Sequence, residues 1–351
     1  MGPYETLKQA RQFIIEQGGK ISPLSISEEE INPESQDDLS LQAYALESTE
    51  TTYQVPYNYP GDASSSEFAF FEDGRQRTVL IGHIRAVFGK QEVLIPVHYF
   101  VVGAVILQRK GRSLEVWDRP LVRQGILVQK SLVPDQQRLA NFERIGLTVE
   151  DVDAEGGDYY VLRSRAYQTA KRLRLQVEDE LIRRWKVSPA AEGQFLVVDG
   201  TLMNFRDEQN IRQCIGVSKS FGARYFSTTE NHRILQMGEF ERSWTFKFHH
   251  PGDDLRMGPR ERVSWYLRIR SRVRADPEFG LIRVEISKDY ASEASKYAER
   301  FSRSLISERL PASYPCPRWD KLLYPIKACE DYLSSIIPSI GTIVESMKGV
   351  V

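Results

Sequence analysis

The chain has 351 residues, 41% hydrophobic and 27% charged, with a formal net charge of −1, values of an ordinary soluble globular protein that forms one large elaborated domain or two. Its longest apolar stretch, VHYFVVGAVIL, is far short of the ~20 residues that span a bilayer, so no membrane partner is expected. Three scattered cysteines, Cys214, Cys316 and Cys329, have no zinc-ligand spacing, which excludes a disulfide scaffold and a zinc finger and suits reduced thiols in the cytoplasm.

Residues 1–20 carry an amphipathic helix pattern, YETLKQARQFIIEQGG, with charges throughout rather than a signal-peptide layout. Residues 21–66 are an acidic, loop-rich segment. From Ile21 to Gly74 there are 12 acidic residues and no Lys or Arg, leaving 47 basic against 36 acidic residues elsewhere. A near-neutral total thus hides a basic body able to meet nucleic acid. Residues 67–351 read as a single domain without repeats or a clean linker. EFAFFEDG, RTVLIGHIRAVFG, EVLIPVHYFVVGAVILQRK and SLEVWDRP predict consecutive antiparallel strands joined by short turns. A long helix begins near Tyr159, with Tyr167, Ala170, Leu173, Val177, Leu181, Ile182 and Trp185 at helical spacing. FLVVDGTL is a short buried strand, and IRQCIGVSKSFG another that ends in a basic turn. Residues 225–260 look irregular, SWYLRIRSRV and FGLIRVEISK are further strands, and helices are expected at Ala291–Arg309 and Leu322–Met347 around a proline-broken LPASYPCPR. This order predicts an α/β fold around a mixed sheet.

Two segments share one form, an apolar run followed by Asp-Gly: FFEDG at Asp73 and VVDG at Asp199. Asp-Gly is good turn chemistry by itself. Two such acids at neighbouring strand ends would repel unless a divalent cation neutralised them. On the intervening helix, Glu178 falls within the apolar face, where it needs either an arginine partner or a cation. Asp73, Glu178 and Asp199 would be oxygen ligands suited to magnesium or manganese rather than zinc, as metal-assisted phosphodiester hydrolysis requires. No GxSxG, P-loop, kinase set or Cys/His arrangement offers a competing chemistry.

Seven arginines lie between Arg256 and Arg274. In a strand, Arg268, Arg270, Arg272 and Arg274 would share one face as a row for phosphates, with Trp265 and Tyr266 for base stacking, or would form a solvated face or an interface for the acidic segment. Lys219 follows an apolar strand and is placed for a scissile phosphate or for an ordinary surface turn. Arg283 and Glu285 alternate in step and share a face on which they can pair.

The ordered set FFEDGR, RLRLQVEDEL, VVDGTL, IGVSKSF, LIRVEIS and LLYPIKACEDYL, covering most of Phe68–Ile336, resembles the NurA nuclease family. The resemblance implies a ribonuclease H-like mixed sheet flanked by helices, with additional strands and C-terminal helices. It implies a manganese-dependent deoxyribonuclease, 5′–3′ exonucleolytic and also endonucleolytic on single strands. Its expected setting is a homodimer docked on a hexameric HerA-type translocase in DNA end resection and repair. By the resemblance Asp73, Glu178 and Asp199 are the metal-binding acids and Lys219 the basic residue after the second Asp-Gly strand. The first motif continues with Arg75 where the family usually has serine. Ala328 is followed by Cys329, Glu330 and Asp331 where a His or Asp is common, which leaves the last ligand open. Two other readings remain: a catalytically weakened DNA-binding adaptor, and a nuclease acting on RNA, since sequence does not distinguish the sugar.

Overall fold

The architecture rests on two very long neighbouring strands. A computed structural model describes residues 2–21, 43–57, 66–88, 91–144, 146–152, 158–205, 208–219, 225–250, 260–272, 276–311 and 319–348. In chain order these contain α1 (Pro3–Glu16), β1 (Lys20–Ile21), β2 (Ala43–Ala45), β3 (Tyr53–Gln54), β4 (Phe70–Phe88), β5 (Gln91–Lys110), β6 (Ser113–Val116), β7 (Leu121–Val128), α2 (Gln136–Arg144), β8 (Thr148–Asp151) and α3 (Tyr159–Lys186). There follow β9 (Leu196–Asp199), β10 (Cys214–Ser218), α4 (Thr228–Gln236), β11 (Glu241–Arg242), β12 (Phe246–His250), β13 (Arg260–Arg268), β14 (Leu281–Ser287), α5 (Ala294–Ser307), α6 (Tyr324–Ile336) and α7 (Ile340–Lys348). One mixed sheet runs β2-β12-β13-β14-β10-β9-β4-β5-β7-β8. The β4, β5 and β7 ladders are antiparallel, whereas β9 is parallel to both β4 and β10. This is a mixed α/β fold with a large sheet flanked by helices.

Strand alternation divides the core. Phe71, Val197 and Val217 face a cluster that includes Phe301, Ile326 and Leu333 of α5 and α6. Phe70, Leu196 and Val198 face the buried stripe of α3, where Val177, Leu181 and Trp185 pack. α3 is capped by Asp158, whose carboxylate accepts from the backbone N–H groups of Tyr160 and Val161. Its C-terminal half is pinned by Trp185 edge-on to Phe70. Nearer its start, Gln76 donates to the Tyr167 carbonyl and the His98 ring meets the Tyr167 ring at 5.7 Å. The helix therefore runs antiparallel to β4.

Several expectations change. Asp73-Gly74 is no turn: β4 continues through it, with Asp73 opposite Val105 and Gly74 opposite Ala104. FAFFEDG and RTVLIGHIRAVF thus form one strand. β7, α2 and β8 join the structure without having been expected. Within 225–250, α4, β11 and β12 replace irregular chain. The helix expected from Ala291 begins at Ala294 after a 3-10 turn, and the one expected over Leu322–Met347 divides into α6 and α7 at Pro338, where the missing N–H and fixed φ stop an α-helix. The acidic segment contributes two short strands, β2 and β3, and its Glu47 takes two hydrogen bonds from Arg242 at 2.7 and 2.9 Å. Much of that segment, and most of LPASYPCPR, lies outside the described residues. No helix among those described is long and apolar enough to cross a membrane.

Candidate metal centre

The parallel ladder between β4 and β9 is short. It pairs Phe70–Glu72 with Leu196–Val198, and among the described residues the next partner on that edge of β4 is β1, at Gly82 and His83. Asp73 and Asp199 are the first residues past the end of this ladder. Both project on the α6 side, following the alternation of Phe71 and Val197. From α6, Glu330 reaches the same point. One carboxylate oxygen from each of Asp73, Asp199 and Glu330 lies within 4.8 Å of the others. Three convergent carboxylates, one buried and two half-buried, are a donor set for a hard divalent cation such as Mn²⁺ or Mg²⁺.

Each acid is held by its own local structure. After Asp199 the chain turns through Gly200 at φ +96°, a conformation that favours glycine. The turn is fastened from β14. Buried Glu285 accepts from the Thr201 hydroxyl at 2.9 and 2.8 Å and from the Leu202 N–H at 2.8 Å. Arg283 donates to the same Glu285 carboxylate at 2.6 Å, so the pairing of these two alternate residues forms as expected. Glu285 thereby acts as a positioning residue for Asp199. Glu330 is anchored by its neighbour, because the Cys329 thiol donates to the Phe71 carbonyl at 3.5 Å.

Glu178 approaches from the other face. Its position on the buried side of α3 agrees with the helical phase, but it is not among the three clustered acids. It takes an ion pair with Arg174 one turn earlier, the arginine partner that the sequence had left as the alternative to a cation. It nevertheless lies close to the cluster. A Cβ added to Gly74 would meet Glu178 Oε1 at 1.6 Å, so this glycine exists to admit the glutamate beside Asp73. Behind it Glu72 is buried, and neither of its carboxylate oxygens has a hydrogen-bond partner among the described residues.

Lys219 stands at the site, its Nζ 2.7 Å from Asp199 Oδ1 and 3.9 Å from Glu330 Oε1. Burial by itself would lower the lysine, but Asp199 and Asp73 outweigh it and hold the ammonium above its ordinary range. Burial, with Asp199 adding repulsion, pushes Asp73 well above the usual carboxylate range. Burial also pushes Glu178 up to about 7 against the pull of Arg174, and with Glu178 and Asp73 it raises Glu72 strongly. Arg174, Lys219 and Lys327, the last 3.7 Å from Glu330 Oε2, offset only part of this crowding of acids. Crowding of this kind is relieved by protonation or by a cation.

The expected nucleic-acid row does not form. β13 ends at Arg268, so strand alternation does not carry on to Arg270 and Arg272. Arg268 is fully buried and donates to the carbonyls of Leu235 and Pro277, both at 2.9 Å, and of Phe279. Arg270 stacks over Trp319 at 4.6 Å and donates to the Leu310 carbonyl, while exposed Arg272 reaches the Leu235 carbonyl at 3.3 Å. Trp265 is buried with its indole N–H on Ser302, and Tyr266 is buried against Phe246. These side chains hold the sheet together. Arg274 lies outside the described residues.

Glu330 is the residue that sequence reasoning left open, and its half-buried position on an amphipathic helix gave no sign beyond its place beside Cys329. Comparison with known protein families and with curated proteins yields no match.

Proposed function

We propose that the protein is a metal-dependent deoxyribonuclease that hydrolyses phosphodiester bonds at the Asp73–Asp199–Glu330 centre. The observation that carries this reading is the convergence of those three carboxylates where β4 and β9 part, with Lys219 beside them. The topology supports a ribonuclease H-like core: three antiparallel strands β4, β5 and β7, a return through α3, then β9 and β10 parallel to the first. The resemblance of the ordered motifs to NurA nucleases points the same way. It brings the expectation of a homodimer working in the cytoplasm on DNA ends with a HerA-type translocase.

The residues divide the work. Asp73, Asp199 and Glu330 would hold Mn²⁺ or Mg²⁺, and the chemistry such an ion supplies when bound is an activated water and neutralisation of charge on the phosphate. Glu178, held by Arg174 and admitted by Gly74, adds a fourth carboxylate beside Asp73. Glu285 fixes the turn that aims Asp199. Lys219 keeps Asp199 paired and contributes positive charge where a phosphodiester must enter among acids.

The test is cleavage of labelled single- and double-stranded DNA in Mn²⁺, with Mn²⁺ affinity measured by calorimetry. Asp199→Ala and Glu330→Ala are each expected to lower both cleavage and affinity at least 100-fold, roughly 2.7 kcal/mol. Unchanged cleavage in both variants would overturn the site. One observation favours a second reading, a DNA-binding adaptor: Lys219 and Arg174 already occupy Asp199 and Glu178. Binding without any cleavage by the wild type would decide for it.

A further inference from the structure

The first part of α3 is densely basic. Between Tyr159 and Val177 the helix carries Arg163, Arg165, Lys171, Arg172 and Arg174 and no acid. Cations in the last turn, here Arg183, Arg184 and Lys186, favour the macrodipole, whose effect falls off within the terminal turns. It gives no account of the mid-helix cations, of which Arg174 pairs with Glu178. Lys171 and Arg172 are exposed and make no ion pair among the described residues.

Helical phase puts part of this charge on a line to the metal centre. Tyr160, Ser164, Tyr167, Lys171, Arg174 and Glu178 follow one another by four and three residues, a single stripe. Tyr160, at 76%, Ser164 and Lys171 are exposed, Tyr167 and Arg174 are half-buried, and Glu178 is buried. Tyr167 is braced from below by the buried His98 ring. The stripe spans 18 residues, about 27 Å at 1.5 Å per residue. Among the described residues, β4 beyond Asp73 has no strand partner on its β9 edge until Gly82, and the stripe ends with Glu178 against Gly74 of this stretch.

We propose that this face of α3 is the track along which one strand of DNA reaches the metal centre, with Tyr160 and Tyr167 stacking bases and Lys171 taking a phosphate. The proposal rests on the deoxyribonuclease reading and adds the surface that presents the substrate. A single strand fits it because aromatic stacking needs unpaired bases.

The experiment uses fluorescein-labelled oligo(dT) and a duplex of equal length, with anisotropy read across a salt series and cleavage followed in parallel. The variants are Tyr160→Ala, Lys171→Glu and, as a control at the stabilising end of the same helix, Arg183→Glu. Tyr160→Ala and Lys171→Glu should each weaken oligo(dT) binding about tenfold, on the scale of one lost stacked base or phosphate contact. Lys171→Glu should also reduce the slope of log affinity against log salt by about 0.7 or more. Both should retain wild-type Mn²⁺ affinity, which reports an intact centre, and Arg183→Glu should bind as wild type. If the wild type cleaves DNA and both track variants bind and cleave like it, the track is wrong and the nuclease reading stands. A loss of duplex binding with oligo(dT) binding untouched overturns the single-strand assignment. If the wild type neither binds nor cleaves any DNA, both readings fall together.

Discussion

Gly74→Ala tests how α3 gains access to the acids. The added methyl would lie 1.6 Å from Glu178 Oε1, 2.5 Å from its Cδ and 2.7 Å from its Cγ, so the glutamate must leave. The backbone is not at issue, because Gly74 sits in the regular β4–β5 ladder and is absent from the residues with positive φ. At such a site alanine by itself stabilises by about 0.4–1 kcal/mol through the unfolded chain. Evicting Glu178 parts it from Arg174, and breaking a buried ion pair costs about 3–5 kcal/mol. Arg174 retains 22% exposure of its side chain, which lets water take up part of that loss. The net expectation is a destabilisation of about 2–3 kcal/mol, read as a lower urea midpoint at unchanged m-value. The decisive assay is a double-mutant cycle with Glu178→Ala. With the glutamate gone, Gly74→Ala should cost nothing. An equal penalty in both backgrounds would refute the account of this glycine as the door for Glu178.

Three further outcomes follow from buried ionisable groups. Because burial lifts Glu178 to about 7, the folded state holds a proton that the unfolded chain releases near 4.5. Metal-free protein should therefore lose stability as pH rises from about 4.5 to 7, at up to about 1.4 kcal/mol per pH unit for this group. Excess Mn²⁺ should flatten or reverse that slope in urea titrations. His98 behaves oppositely: burial depresses it to about 3, so its contribution is present above pH 6.5 and is lost as pH falls toward 3. Neither ring nitrogen has a hydrogen-bond partner among the described residues, and His98→Phe should flatten this acid branch without loss of stability at pH 7. Arg268→Met should destabilise by about 3 kcal/mol, since it strips hydrogen bonds from three carbonyls, two of them fixed at 2.9 Å. Its folded fraction should bind DNA as wild type, because the guanidinium is out of reach of a ligand.

Local sequence pointed to both Asp199 and Asp73, and misplaced only the end of the strand at Asp73, for one reason. Asp-Gly has two physical uses, and only one of them is a turn. At Gly200 the glycine supplies a positive φ, while at Gly74 it supplies the absence of a side chain inside an extended strand. Nothing in FFEDGR separates the two until the helix that packs there is placed. Helical phase did place Glu178 on the buried face, because the α3 stripe is long and regular. Glu330 was not legible in this way: its meeting with Asp73 depends on how α6 lies against β4, a contact about 250 residues apart in sequence, of the kind made by Cys329 and Phe71. The arginine row failed at another step. Alternation says which residues share a face, not what covers it, and α4 supplies the Leu235 carbonyl that covers Arg268. LVRQGILV escaped notice because only its second half is buried, which weakens the strand signal.

The charge around β4 explains why an isolated reading of any one acid is inadequate. Glu72, Asp73, Glu178, Asp199 and Glu330 meet three cations, Arg174, Lys219 and, 3.7 Å from Glu330 Oε2, Lys327, so acids outnumber cations among the described residues. A purely structural cluster would be replaced at little cost by apolar residues, since buried ion pairs rarely outperform hydrophobic packing. Here the fold instead spends a glycine on admitting Glu178 and a buried Glu285 on aiming Asp199. Both devices sharpen geometry and neither relieves repulsion. Lys219 fits the same logic, for its ammonium sits against Asp199 while burial and Asp199 still push Asp73 well above the usual carboxylate range. A centre built this way favours a divalent cation over protons as pH rises, and a stabilising effect of Mn²⁺ that grows from pH 5 to pH 8 and vanishes in Asp199→Ala is the signature that separates a metal centre from a merely tolerated cluster of acids.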